Sequence, residues 1–110
     1  MITEAQVEQA ISFLRVSAEE AAIARANMIY TGEWLKVVKA KVKAQQSGIS
    51  NAAAEDIALT STEYFAALEG HRDAVKEDSF YRFKREAADA LIQAWRTEQA
   101  SIRSEGRAYA

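Results

Sequence analysis

The sequence predicts an all-α protein, an elongated antiparallel helical hairpin built from long second and last helices, with a short N-terminal helix and a short linker helix. Three observations support this class. The 110 residues contain no proline and only four glycines, so little in the chain interrupts a helix. Apolar residues recur at helical spacing. Residues 61–104 contain one glycine and many strong helix formers, which predicts a single unbroken helix of about 65 Å.

Capping signals predict the first two helices. Thr3 and Gln6 form a capping-box pattern that opens the first helix. Ser17 and Glu20 repeat the pattern, with acidic residues suited to a helix N-terminus. A second helix therefore either begins at Ser17, after a kink near Val16, or continues the first helix without a break.

The second helix is predicted to extend to about Gln46, where Gly48 provides a left-handed C-terminal cap. Its apolar positions step by threes, fours and sevens, close to the seam of a coiled coil. These positions are Ala21, Ala24, Met28, Leu35, Val38 and Val42. A flanking stripe widens the buried face beyond what one partner helix covers, and it consists of Ile23, Tyr30, Trp34 and Val37.

The connection between the long helices is predicted to contain a short helix. Ser50 or Asn51 serves as its N-cap, and it ends near Leu59. Thr60 and Glu63 then form a third capping box, which opens the last helix. The chain would turn back on itself across this linker and bring the two long helices side by side.

Blocks of alternating charge predict how the hairpin is paired. Residues 36–50 carry four lysines and no acid, whereas residues 51–79 carry seven acids and two bases. Surface ion pairs are worth only about 0–1 kcal/mol each, so they select a register more than they stabilise the fold. The expected neighbours are Lys36–Lys43 with Glu63, Glu69 and Asp73; Glu19 and Glu20 with Arg82, Lys84 and Arg85; and Glu4 and Glu8 with Arg96 and Arg103.

We expect residues 1–104 to fold as a single domain, because a chain of 110 residues is long enough for one modest core. Much of its apolar content is alanine, which buries little area per residue. The core would therefore depend on close contact between helices. Residues 105–110 are expected to form a frayed tail, as chain ends commonly do.

Aromatic residues on the last helix form the candidate protein interface. Phe80, Tyr81 and Phe83 point in three directions on a helical wheel, so one intramolecular partner cannot cover them all. Trp95 lies further along the same helix. Because exposed aromatic patches usually mark contact sites, we expect these four residues to mediate a homo-oligomer. The alternative is a crossing of three helices at this point.

The sequence gives no support for an enzyme, a metal site or a cofactor. His71 is the only histidine, and there is no cysteine, which removes thiol chemistry and cysteine-based zinc sites. Chelation along a helix needs a second ligand three or four residues away. The residues at those distances are Ala67, Leu68, Ala74 and Val75.

Two features bear on the compartment. No charged-then-apolar leader opens the chain, and no run of 18 apolar residues occurs in it. The absence of cysteine also fits a reducing environment. We therefore expect a cytoplasmic protein with no membrane partner.

Two basic clusters are suited to nucleic acid, although the net charge of −2 argues against a dedicated nucleic-acid binder. In the second cluster the bases alternate with aromatic rings, a pattern that can contact phosphates and stack on single-stranded bases. The first cluster consists of Lys36, Lys39, Lys41 and Lys43, and the second consists of Arg82, Lys84, Arg85 and Arg96.

A run near the C-terminus resembles a pattern found in small helical phage and prophage proteins of unknown function. The run comprises Arg85-Glu86-Ala87-Ala88, Ile92, Ala94-Trp95-Arg96-Thr97, Ala100 and Arg103. Residues 24–30 and 69–75 resemble the same group, so the likeness covers most of the chain. It stops after residue 103, where that group ends in a short basic and apolar tail.

The resemblance implies a role rather than an active site. It favours an interaction or assembly module in the cytoplasm of a bacterial host, with a phage or host protein as a possible partner. The alternative it implies is an accessory nucleic-acid-binding protein associated with phage recombination or single-strand handling. Helix packing also accounts for most of the run, because its alanines let a neighbouring helix approach closely and Trp95 anchors that neighbour.

Overall fold

The computed structural model describes residues 1–109, and this part of the chain contains four α-helices and no strand. The all-α class and the order of the four elements are confirmed. With 48 residues, the last helix is about 72 Å long. The helices are α1 (Glu4–Val16), α2 (Ala18–Ala44), α3 (Asn51–Leu59) and α4 (Thr62–Tyr109).

Contacts within the chain group it into two compact units, whereas the sequence predicts one domain. Unit 1 comprises Met1–Ala21 together with the chain from Phe80 onward, and unit 2 comprises Ala22–Ser79. Each long helix is divided between the two units. The first residues of α2 belong to unit 1 and the rest belong to unit 2, whereas α4 begins in unit 2 and continues in unit 1.

Unit 2 is an antiparallel helical hairpin with a thin core. Thr31 of α2 contacts His71 of α4, whereas residues later in α2 meet residues earlier in α4. The two helices therefore run in opposite directions, as predicted for the hairpin. The core contains buried residues of α2 and α3, against which two residues of α4 pack: Val38, Val42, Ala58, Tyr64 and Ala67.

The end of α2 and the start of α3 follow the local signals. The helix ends at Ala44, two residues before the predicted Gln46. Gly48 has a φ of 74°, the left-handed conformation that favours glycine. Ser50 caps α3, because its hydroxyl accepts the N–H of Ala53 at 3.1 Å. The left-handed Gly48 and the N-cap Ser50 are therefore confirmed.

The predicted capping box at the start of α4 is wrong by one residue. Thr60 does not cap α4, because its hydroxyl donates to the carbonyl oxygen of Asp56 at 2.8 Å, in the last turn of α3. Ser61 takes the capping role, and its hydroxyl accepts the N–H of Tyr64 at 3.1 Å. Ser61 directly precedes Thr62, the first residue of α4, and so occupies the N-cap position.

Unit 1 packs α1 against the C-terminal part of α4. The N–H of Ile2 donates to the Glu98 carboxylate at 3.2 Å. At the other end of α1, the Arg85 guanidinium donates to the carbonyl oxygen of Leu14 at 2.7 Å. Early residues of α1 therefore meet late residues of α4, and the pair is antiparallel. The predicted capping box of Thr3 and Gln6 is present at the start of α1.

The junction between α1 and α2 is a single residue, Ser17. Its predicted capping box is absent, because the Ser17 hydroxyl donates back to the carbonyl oxygen of Phe13 at 2.5 Å. Helical backbone bonds continue on both sides, from Ser17 to Phe13 and from Ala21 to Ser17. The chain therefore passes from α1 to α2 with only a local interruption.

The C-terminal boundary lies further along the chain than predicted. Residues 105–109 continue α4 as helix and do not form the frayed tail expected from position 105. Ala110 lies outside the described residues. The strong helix formers of this segment explain its helical state, since only Gly106 has a low helix propensity.

The lysines of unit 2 pair differently from the expectation within the described residues, although residues 38–42 of α2 pack near residues 64–67 of α4 as the predicted register requires. Lys39 pairs with Glu55 of α3, and Lys36 pairs with Glu33 one turn earlier on its own helix, at 3.2 Å. The lysines of α2 thus find carboxylates on α3 and on α2 itself. In the described part of the chain, no ion pair links them to the predicted residues of α4, which are Glu63, Glu69 and Asp73.

Candidate interaction surface on the last helix

Two of the four predicted interface rings lie in grooves against α1. Tyr81 is half-buried and lines a groove of about 470 Å³ together with Gln9, Ser12, Phe13, Val16, Ser17 and Glu20. Trp95 is half-buried and lines a smaller groove of about 180 Å³ together with Glu4, Val7 and Glu8. Both rings therefore contribute to the contact between α1 and α4 within unit 1.

The other two rings, Phe80 and Phe83, are open to solvent. Phe80 is 52% exposed and Phe83 is 60% exposed. Phe80 contacts Tyr81 edge to face, with ring centroids 5.3 Å apart and an interplanar angle of 85°. One face of Phe80 is thus fixed by an intramolecular neighbour, while much of its surface stays uncovered.

Phe80 and Phe83 begin an uncharged line of residues along α4, which we call the α4 seam. Its eight positions alternate in steps of three and four, the spacing of a coiled-coil seam. Ten charged residues lie between positions 80 and 107, and none falls on the seam. All eight positions are exposed. They are Phe80, Phe83, Ala87, Ala90, Ala94, Thr97, Ser101 and Ser104.

The seam as a whole was not recognised from the sequence, although its signal is present there. The aromatic residues at positions 80–83 belong to the predicted interface, whereas the alanines that follow are predicted to let a neighbouring helix approach closely. The absence of charged residues at positions spaced alternately by three and four is the sequence pattern that predicts the seam. The structure adds that this face is exposed in unit 1, while α1 packs against the side that carries Tyr81 and Trp95.

Two of the candidate nucleic-acid contacts lie over the exposed rings. The Arg82 guanidinium is 5.0 Å from the centroid of Phe83, and the Lys84 ammonium is 4.9 Å from that of Phe80. Lys84 also lies 5.6 Å from the ring of Phe13 in α1. Both bases are exposed. Their charges are therefore free to meet solvent or a ligand, beside aromatic faces.

The other two candidate bases have different surroundings. Arg85 is half-buried, and its guanidinium donates to the carbonyl oxygen of Leu14 and to the hydroxyl of Ser17, at 2.7 and 2.8 Å. The charged guanidinium of Arg85 is therefore hydrogen-bonded to the C-terminal end of α1. Arg96 is exposed about 120° around α4 from Lys84 and about three turns further along the helix. The four bases therefore do not form one continuous patch.

The ion pairs predicted for unit 1 do not form. Glu20 lies beside Tyr81 in the larger groove, and Arg85 binds a carbonyl and a hydroxyl oxygen instead of a carboxylate. Glu4 and Glu8 lie near Trp95. Among residues 1–109, no ion pair joins the acids of α1 or α2 to the bases of α4.

The single histidine lies in unit 2 and is occupied by a structural contact. His71 Nδ1 is 2.8 Å from the hydroxyl of Thr31, and the same hydroxyl donates to the carbonyl oxygen of Asn27 at 2.8 Å. The donor in the bond between His71 and Thr31 depends on the tautomer of the imidazole. The described residues include no group of three or more His, Asp or Glu side chains placed to hold a metal ion.

Comparisons with protein-family models, curated proteins and solved structures give no match. Within residues 1–109, no helix combines the length and the apolar character needed to cross a membrane. The geometry of unit 1 and unit 2 is therefore the basis on which function can be argued.

Proposed function

We propose that this chain is a non-enzymatic assembly module that binds a second copy of itself through the α4 seam. One observation carries the proposal: Phe80 and Phe83 are half exposed at the start of a line of eight exposed, uncharged positions with coiled-coil spacing. Coiled coils form when such a line on one helix packs against another. In unit 1 the side of α4 that packs against α1 carries other residues, among them Tyr81 and Trp95.

The two exposed rings supply part of the area that a stable interface needs. Phe80 and Phe83 expose 52% and 60% of their surface, which at roughly 200 Å² per ring gives about 450 Å² from two copies. A specific interface buries at least about 1,200 Å² in total. The remaining six positions extend the contact over a seam about 36 Å long, and they and their flanking residues would supply the difference.

The charges beside the seam favour an antiparallel pair. Along one flank the order is positive at Lys84, then negative at Glu98 and Glu105. Pairing two antiparallel seams over all eight positions places Ala90 opposite Ala94 of the second copy, so Lys84 of one chain approaches Glu98 of the other.

Residue size fits the same arrangement. Phe80 and Phe83 lie opposite Ser104 and Ser101 of the second copy, so each large ring meets a small side chain. The alanines at the centre let the two backbones approach closely. Alternation of large and small residues across facing positions is how helical interfaces fill space without voids.

The biological setting is proposed from the resemblance to small phage and prophage proteins, which covers the seam itself at Ala87, Ala94 and Thr97. On this reading the chain acts in the cytoplasm of a bacterial host. The assembled form would then present other surfaces to a phage or host protein.

Light scattering of the purified chain tests the proposal. We expect a mass of twice the 12.2 kDa of one chain, and Phe83→Asp should reduce it to that of a monomer because a carboxylate cannot be buried on the seam. Phe65→Asp is the matched control, since Phe65 is 63% exposed on the same helix but off the seam. A monomeric wild type, or an unchanged mass for Phe83→Asp, contradicts the proposal.

Cross-linking tests the orientation separately. The chain has no cysteine, so any disulfide that forms must join the introduced cysteines. Mixing Ala90→Cys with Ala94→Cys should give a disulfide-linked heterodimer, whereas either variant alone should not cross-link. An Ala90→Cys homodimer would instead indicate a parallel pair.

Nucleic-acid binding is the second candidate, favoured by the placement of Arg82 and Lys84 over exposed rings. Nucleic-acid binding competes with self-assembly at this site, because the dimer would cover Phe80 and Phe83. Fluorescence anisotropy of labelled single-stranded DNA at about 50 and 200 mM salt separates them. Micromolar binding that weakens steeply with salt and is lost in Arg82→Ala would support this candidate, and no binding at low salt excludes it.

A further inference from the structure

Two charged residues of α4 lie on the flank between the α4 seam and the side that packs against α1, and each of them contacts α1. The Lys84 ammonium lies 5.6 Å from the centroid of the Phe13 ring, near the end of α1. The Glu98 carboxylate accepts the N–H of Ile2 at 3.2 Å, just before α1 begins. Lys84 and Glu98 are two heptads apart, so they occupy equivalent positions beside the seam.

Helix α1 restricts where these two charges lie. The Lys84 ammonium is within about 6 Å of two ring centroids, the usual range of a cation–π contact. One ring is Phe80 of α4, at 4.9 Å, and the other is Phe13 of α1. Glu98 is half-buried, and the backbone at Ile2 orients its carboxylate. Long charged side chains on an open helix surface sample many rotamers, so the contacts with α1 order both of them.

Neither charge has an ionic partner in the part of the chain that the structure describes. Lys84 and Glu98 are about 21 Å apart along α4, so they cannot pair with each other in one chain. In the antiparallel pair of seams, Lys84 of one copy approaches Glu98 of the other. The two-fold symmetry of such a pair repeats the contact, and all four charges then have a partner.

We propose that α1 controls self-assembly by holding Lys84 and Glu98 in position for a second copy of the chain. This inference rests on the proposed function, because it requires the dimer through the α4 seam. Side chains that are already ordered lose less conformational entropy on association than free ones. Detachment of α1 releases both charges and weakens the dimer. By the reciprocity of linked equilibria, the dimer in turn stabilises the docked position of α1.

An exchange of charges tests the pairing. Lys84→Glu alone and Glu98→Lys alone each place like charges opposite each other twice across the dimer. Each variant should therefore assemble at least about tenfold more weakly than the wild type. An equal mixture of the two variants should form a heterodimer, because each of its two contacts joins one positive and one negative charge. Sedimentation equilibrium of the separate variants and of the mixture measures both effects.

A substitution in α1 tests the control by this helix. Phe13→Ala removes the α1 ring beside Lys84 and should weaken the dimer about fivefold or more. Phe13→Leu also removes the ring but keeps an apolar side chain, so it gives the same test with less loss of packing. Val16→Ala is the matched control, since Val16 lines the same groove as Phe13 but has no ring. Circular dichroism should show the same helix content in all three variants.

Two further measurements separate positioning from general support of the fold. In a Lys84→Met background, Phe13→Ala should have no additional effect on the dissociation constant, because the charge that it positions is absent. At about 1 M salt the effect of Phe13→Ala should also disappear, since the Debye length is then about 3 Å. A loss caused only by poorer packing of α1 would persist in both measurements.

A distant apolar surface provides a control for non-specific association. The sequence predicts that a flanking stripe widens the buried face of α2, but all four of its residues are exposed in unit 2. They are Ile23, Tyr30, Trp34 and Val37. Tyr30→Ala removes the most exposed of these side chains and should leave the dissociation constant of the dimer unchanged.

The outcomes distinguish this inference from the proposed function. If the wild type is dimeric and the two charge variants assemble no better mixed than alone, the inference is overturned and the seam remains the interface. Equal dissociation constants for Phe13→Ala, Phe13→Leu and the wild type would also overturn it, as would an effect of Phe13→Ala that persists in the Lys84→Met background. A monomeric wild type, or a dimer that Tyr30→Ala dissociates, contradicts both proposals.

Discussion

Arg85 of α4 lies with its guanidinium Nη1 2.7 Å from the carbonyl oxygen of Leu14, in the last turn of α1. The last carbonyls of a helix have no partner within that helix, and a positive charge is favourable at this end. The same nitrogen also donates to the hydroxyl of Ser17 at 2.8 Å. Arg85 therefore caps α1 from a neighbouring helix and fixes the junction between α1 and α2.

Removing this side chain should destabilise unit 1. We expect Arg85→Ala to lower the free energy of unfolding by about 1.5–3 kcal/mol, the range for hydrogen bonds to charged groups. Arg85→Lys should recover part of the loss, since an ammonium cannot reproduce the guanidinium geometry. Urea denaturation measures the free energy of unfolding of the wild type and of each variant. The control is exposed Arg82, whose change to alanine should cost no more than about 0.5 kcal/mol; equal losses at both positions would contradict the capping role.

The signals that the sequence carries within a few residues predicted the fold well. Thr3 with Gln6, Gly48 and Ser50 each act on backbone groups of their own turn, so spacing alone is enough to identify them. Thr60 and Ser61 show the limit of this reasoning. Either hydroxyl could cap α4, and the end of α3 determines the choice by taking the hydroxyl of Thr60.

Features that depend on the placement of distant elements could not be predicted in the same way. Lys39 pairs with Glu55 because α3 lies beside α2, and the sequence predicts the short helix without its position against α2. The candidate interaction surface on α4 also depends on where distant helices lie. Four rings were visible in the sequence, but the position of α1 determines that Tyr81 lies in a groove and that Phe83 is exposed.

Two glycines in helix interiors should respond differently to alanine. A Cβ at Gly70 would meet nothing within 4 Å, whereas a Cβ at Gly32 would lie 3.3 Å from Cε1 of His71. Gly70→Ala should raise the free energy of unfolding by about 1 kcal/mol through helix propensity. Gly32→Ala should gain less, because the His71 ring must shift against its bond to Thr31.

Thermal or urea denaturation measures both substitutions. In a His71→Ala background the crowding disappears, so Gly32→Ala should then gain as much as Gly70→Ala. Equal gains at the two glycines in the wild-type background would mean that α2 and α4 do not approach each other closely at His71.

The ion pair of Lys39 and Glu55 should make stability depend on pH. The hydrogen bond from Lys39, followed by its charge, lowers the pKa of Glu55, and the bond to Glu55 raises the pKa of Lys39. A lowered carboxyl pKa stabilises the fold above the ordinary pKa of a glutamate, about 4.3, and the effect is lost as pH falls through the folded value. A raised pKa of Lys39 stabilises the fold below the ordinary pKa of a lysine, about 10.4. This stabilisation is lost as the pH rises through the pKa that Lys39 has in the folded chain.

The contribution is therefore present between these limits, and NMR titration can detect its source. In Lys39→Met the pKa of Glu55 should rise toward its ordinary value. In Glu69→Gln it should not change, since no ion pair of Glu69 with Lys39 forms within the described residues. A shift of Glu55 in the Glu69 variant, and none in the Lys39 variant, would contradict the observed pairing.

Asp78 provides the last test, because its carboxylate is buried in α4 and its Oδ2 atom has no hydrogen-bond partner within the described residues. An unsatisfied buried polar group costs about 1–3 kcal/mol. Asp78→Ala should therefore stabilise the chain, by more than the roughly 0.5 kcal/mol expected from helix propensity alone. Asp73→Ala is the matched control, since the Asp73 side chain is exposed on the same helix and should show only the propensity gain. If Asp78→Ala instead lowers the free energy of unfolding, the Asp78 carboxylate stabilises the fold and its unpaired Oδ2 atom does not carry the expected cost.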